Sequence, residues 1–99
     1  MSNDKNMITK DVDLPPIVGL LSDESEQTIE ILTIGAIKKH RKLVDRAERM
    51  FQHAHASDKT REAAPSEAYI GYLAATIEMH AQMSALTTLL GILGRTPKV

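Results

Sequence analysis

Cysteine and tryptophan are absent from this 99-residue chain. Without cysteine there is no disulfide, no thiolate nucleophile and no thiolate metal ligand, and the composition suits a reducing compartment. Aromatic residues are scarce, with Phe51, Tyr69 and Tyr72 the whole set. Met, Leu, Ile and Ala must therefore fill whatever core exists. No apolar run approaches the roughly 18 residues a membrane-crossing helix needs. The opening Met-Ser-Asn-Asp-Lys-Asn is polar and lacks the basic and apolar regions of a signal peptide, so the expected location is the cytoplasm. Also missing are a nucleophile elbow, a zinc-protease motif, a phosphate-binding loop and a paired acidic dyad. The expectation is a protein that is not an enzyme.

Hydrophobic residues make up 42% of the chain, enough for a folded domain. At this length residues 1–99 form one domain with a small private core. The net charge is −1 and is unevenly spread. Residues 1–30 hold seven acids against two bases, whereas residues 31–61 hold eight bases against three acids. An acidic end can attract a basic partner, and a basic segment an acidic one; two solvated faces are the plain alternative.

The pattern divides into an arm (1–21), helix one (22–55), a polar linker (56–65) and helix two (66–94). Pro15 and Pro16 bias the arm toward extended structure, and its apolar residues require either a seat on the body or a partner. Ser22 or Asp23 can cap helix one, with Glu26 and its acidic neighbours at the positive end of the helix dipole. Ile29, Thr33, Ala36, His40, Leu43, Ala47, Met50 and Ala54 then recur at steps of four and three, flanked by Ile37, Val44 and Phe51. This heptad-like seam predicts a long amphipathic helix. Pro65 and Ser66 open helix two, Gly94 can end it and Pro97 forbids its continuation. Its predicted seam is Tyr69, Leu73, Thr76, His80, Met83, Thr87 and Leu90.

Between Ala68 and Gly94 the one formally charged residue is Glu78. Ile77, Leu86 and other apolar residues fall on faces away from the predicted seam. A helix apolar nearly all round must be buried nearly all round, which one neighbouring helix cannot achieve. The predicted fold class is therefore all-α: two long antiparallel helices in a coiled-coil-like hairpin, with an extended N-terminal arm, dimerising into a four-helix arrangement. In a symmetric hairpin Leu43 meets Ile77, Ile37 meets Met83, Thr33 meets Thr87 and His40 faces His80. Ile37, His40, Leu43, Val44, Phe51, Ile77, His80, Met83, Leu86 and Leu90 make up the expected seam and dimer core.

His40 with His80 could bind zinc or sense pH, but no Cys or spare carboxylate adjoins them, so packed structural histidines are expected and no metal. His53 and His55 lie at a helix end, where a cation suits the dipole. Lys38, Lys39, Arg41, Lys42, Arg46 and Arg49 invite a nucleic-acid reading. Asp45 and Glu48 interrupt them and the overall charge is not basic, so a solvated helix face is favoured. A small helical dimeric enzyme of the chorismate-mutase type is a third possibility. It needs a converging basic pocket, and helix two supplies no base.

The run Ile77-Glu78-Met79-His80-Ala81-Gln82-Met83-Ser84-Ala85-Leu86, then Thr88-Leu89, Ile92-Leu93-Gly94 and Pro97-Lys98-Val99, resembles the C-terminal half of the TraM quorum-sensing antiactivators. Upstream, Leu32-Thr33-Ile34, Ala36-Ile37, His40-Arg41 and Leu43-Val44 match as well. A looser match runs through Thr9-Lys10, Val12, Leu14, Pro16 and Gly19-Leu20, and the linker 55–66 has no match. The resemblance implies a cofactor-free homodimer that binds TraR, a LuxR-type activator, and keeps it from promoter DNA, so that conjugal plasmid transfer stays off. It implies no direct nucleic-acid contact, no membrane and no small-molecule substrate. The activator's DNA-binding domain is basic, so an acidic and apolar surface would complement it. Asp23, Glu24, Glu26 and Glu30 could steer the encounter, with Leu14, Ile17, Leu20, Ile31 and Ile34 as apolar anchors and Tyr72 as an aromatic contact. Each of these could instead serve the dimer core.

Overall fold

The computed structural model describes residues 13–57 and 66–99, and every described element is helical. A short helix α1 (Pro15–Leu20) precedes two long ones, α2 (Glu26–Ser57) and α3 (Glu67–Leu93). The long helices pack against each other antiparallel, and α1 lies against α3. Residues 58–65, most of the expected linker, fall outside the described residues, as do residues 1–12 of the arm.

The N-terminal arm is not extended over Pro15–Leu20; it is a turn and a half of helix. Both prolines stand in its first turn. There their missing N–H groups would have had no intrahelical partner anyway and their fixed φ suits the helix, so they start it instead of breaking it. Ser22 likewise serves a different helix from the one expected. Its hydroxyl and its backbone N–H both donate to Gly19 O at the end of α1, and Glu24 N closes onto Leu21 O. The long helix consequently starts four residues later than position 22. Ser25 holds its first turn, accepting from Thr28 N at 3.1 Å.

The start of α3 is set by Ser66, whose Oγ accepts from Tyr69 N at 3.1 Å. Its end is set by Gly94, left-handed at φ 82°, whose N–H returns to Leu90 O.

Ile29, Thr33, Ala36, Leu43, Ala47 and Ala54 of α2 are buried, with His40 and Met50 half-buried among them. This is the stripe the sequence spacing marks. Three alanines in it let α3 approach closely, and Gln82 Nε2 reaches Ala36 O across the seam at 3.3 Å.

On α3 the inward stripe is Tyr72, Ala75, Met79, Gln82, Leu86 and Leu89. It lies one residue away from the predicted stripe. Leu73, His80 and Met83 are exposed on the hairpin's outer surface. The predicted pairing of His40 with His80 therefore does not form: His80 points outward, and His40 Nδ1 is buried without a hydrogen-bond partner.

Candidate protein-binding surfaces

At the open end of the hairpin, Leu21 is buried with Ala36 and Leu89, and Ile17, Leu86 and Ile92 pack around them. Ile17 in α1 and Leu21 just past its end sit one turn apart on the same face, which explains why this six-residue segment lies down on α3. Leu20 faces the other way and is 76% exposed. Leu14 and Ile17, expected to be anchors like Leu20, are half-buried in the seat.

The acidic residues near this end divide into two groups. Arg95, just past the end of α3, donates through Nη2 to Glu26 at 3.1 Å and to Glu30, with Nε also on Glu26 at 3.3 Å. The hydrogen bonds it donates to Glu30 first, and then to Glu26, raise the guanidinium pKa above its ordinary value. Glu26 and Glu30 are thus partnered within the chain and their charge is largely offset. Asp23 and Glu24 are exposed in the turn after α1 and make no ion pair among the described residues. Arg95 was missed by sequence reasoning, and nothing in the local pattern marks a cation whose partners lie more than sixty residues upstream.

The long helices leave apolar side chains uncovered on both sides. On α2, Ile31 is 63% exposed and Leu32 is also exposed, while Ile34 is half-buried. On α3, Ile70, Leu73 and Ile77 form an outward stripe at helical spacing, with Ile77 at 69%. Of the expected seam and dimer core, Leu43 is buried between the helices, and Ile37, His40, Leu86 and Leu90 are half-buried. Val44, Phe51, Ile77, His80 and Met83 remain open.

Val44 and Phe51 line an open groove of about 340 Å³ with Ala47, Tyr72, Thr76 and Met79. Tyr72 lines this groove, half-buried, with its ring 5.4 Å from that of Phe51. Glu78, the sole acid of mid-α3, is tied to Arg46 at 3.1 Å. Lys38, Lys39, Arg41, Lys42 and Arg49 are exposed and unpaired among the described residues.

Among the described residues no group of three or more His, Cys, Asp or Glu side chains could hold a metal ion. No helix there is long and apolar enough to cross a membrane. The chemistry these surfaces offer is contact, through exposed apolar side chains and exposed charges.

Comparison with known proteins gives this surface a setting. The chain is a member of a class of small prokaryotic transcriptional repressors. It belongs to the TraM family: the model for the prokaryotic transcriptional repressor TraM matches residues 1–98. The chain is 47% identical to the transcriptional repressor TraM of Rhizobium radiobacter, over 93% of this chain and 90% of that protein. It is 42% identical to the transcriptional repressor TraM of Agrobacterium fabrum strain C58, over 98% of this chain and 95% of that protein. Among solved structures it is similar to the quorum sensing antiactivator TraM2 of A. tumefaciens strain A6. The TM-score is 0.79 at 46% identity, covering 88% of this chain and 98% of that one. These names are those of regulatory proteins, repressors and an antiactivator.

Proposed function

We propose that the chain is an antiactivator that binds a TraR-like, LuxR-type quorum-sensing activator, prevents it from occupying promoter DNA and so represses conjugal plasmid transfer. The likeness to the solved antiactivator TraM2, nearly end to end, carries this reading. The surface chemistry supports it. Leu20, Ile31 and Leu32 are exposed at the end of the hairpin where Asp23 and Glu24 have no ion-pair partner among the described residues, which suits a basic DNA-binding domain. Sequestration is stoichiometric, takes place in the cytoplasm and needs neither cofactor nor turnover.

The working unit in this reading is a homodimer. The stripe of Ile70, Leu73 and Ile77 on the nearly charge-free α3 is the face a second copy covers, completing four helices. The test is co-purification with a signal-bound LuxR-type activator, followed by a promoter-DNA mobility shift. The expected result is a stable complex that no longer shifts DNA. An activator that binds DNA equally well with excess antiactivator present contradicts the reading.

A further inference from the structure

Two threonines are the fully buried polar residues of the described chain, and they use their hydroxyls differently. Thr33 Oγ1 donates to Ile29 O one turn back in its own helix, the ordinary use of a hydroxyl within a helix. Thr88 Oγ1 donates in the same way to Ser84 O at 3.0 Å, and it also accepts twice from another segment. The backbone N–H groups of Asp13 and Leu14 reach it at 3.0 Å and 2.9 Å. A hydroxyl has one proton and two lone pairs, and here all three are used.

The two donors lie immediately before α1, which has no side-chain cap of its own. Six residues are far fewer than the roughly 12–15 an isolated helix needs in water, so α1 persists because it is docked. It is held at two points: the Thr88 hydroxyl at its start and the buried Leu21 at its end. Between them the helix turns Leu20 outward and leads directly into the turn that carries Asp23 and Glu24.

We infer that Thr88 is a positioning residue for the activator-docking surface: its hydroxyl latches α1 onto α3, and the latched helix presents Leu20, Asp23 and Glu24 together. The inference rests on the proposed function for its partner, and on the hydrogen bonds alone for the latch. Thr88→Val keeps the shape and removes the hydroxyl, leaving two amides without an acceptor at a half-buried site. Thr88→Ser keeps all three hydrogen bonds and removes a methyl group.

The experiment is amide hydrogen exchange on the full chain for the parent and both variants, together with binding of a purified, signal-bound LuxR-type activator. Thr88→Val is expected to speed exchange at Leu14, Ile17 and Leu21 by about tenfold. Exchange in the middle of α2 and α3 stays as in the parent, and binding of the activator weakens. Thr88→Ser is expected to restore both. Unchanged protection of α1 in Thr88→Val, or equal loss in both variants, overturns the latch. Faster exchange in α1 with unchanged activator binding overturns the positioning role. If the parent itself fails to bind the activator, it is the proposed function that fails, and the exchange result still decides the latch. Should Thr88→Val not fold, a loss of α1 protection in Thr88→Ser alone counts against the hydroxyl.

Discussion

Arg95 reaches back from beyond the end of α3 to hold Glu26, in the first turn of α2, at 3.1 Å. The two ends of the helical hairpin are thereby joined in space, and the acidic cluster at the start of α2 is split. Glu26 and Glu30 are offset by the guanidinium, while Asp23 and Glu24 make no ion pair among the described residues. Removing the cation should strengthen the negative potential of this end without dismantling it, because exposed ion pairs contribute little to stability. Arg95→Gln is expected to leave the unfolding midpoint nearly unchanged. It should speed association with a basic partner at low salt, with the gain vanishing as salt is raised. Stopped-flow association at two ionic strengths reads both; a slower rate at low salt contradicts the assignment.

Rim charges and apolar anchors should separate kinetically. Asp23→Asn with Glu24→Gln is expected to slow association with the activator and flatten its salt dependence. Leu20→Ala is expected to speed dissociation about tenfold, for a loss of about 1.4 kcal/mol. Leu20 is largely exposed in the free chain, so its truncation should not unfold the hairpin. Surface-immobilised kinetics distinguishes the two; parental rate constants in both variants would place the docking surface elsewhere.

The open α3 stripe predicts a melting temperature that rises with protein concentration, since association stabilises only the folded state. Ile77→Glu places a charge in the middle of that stripe. It is expected to lower the apparent mass in light scattering and to remove the concentration dependence. Ile77 contributes little burial within the chain, so helical content should persist at high protein concentration. A monomeric parent with a concentration-independent melt would falsify the homodimer.

Two glycines should respond in opposite senses. Gly94 needs its positive φ to close α3, and Gly94→Ala is expected to cost about 1 kcal/mol. Gly35 sits within α2 with open space where a Cβ would project, so Gly35→Ala is expected to stabilise by about 0.5–1 kcal/mol. Urea unfolding at fixed protein concentration measures both. Loss of stability at Gly35 would mean that a neighbouring chain covers it.

How far each helix could be read in advance follows from its contrast. Helix α2 sets cations opposite a small apolar stripe, and all eight positions from Ile29 to Ala54 fall where the spacing puts them. Helix α3 offers no such contrast, because both the true stripe through Ala75 and Leu89 and the neighbouring one through Leu73 and Met83 obey the same period. Periodicity alone could not choose between them, and His80 was carried inward by that ambiguity. In α1 the two prolines signalled extended chain because local rules cannot tell a first turn from an interior. That choice was made by α3, through Thr88 and Leu89. The division of the acids by Arg95 was equally illegible, being a contact between distant parts of the chain. The part of the candidate surface that could be read was its composition, acidic and apolar near Leu20.

The hairpin has one further consequence, which follows from its being only two helices side by side. It is a single layer, whereas a self-sufficient domain stacks two or three. A layer has two broad sides, and covering one with a second copy leaves the other free for a different protein. Self-association and capture of an activator then need not compete for the same ground. Under the proposed function, an assembly can hold both at once, and its composition then follows the supply of each chain.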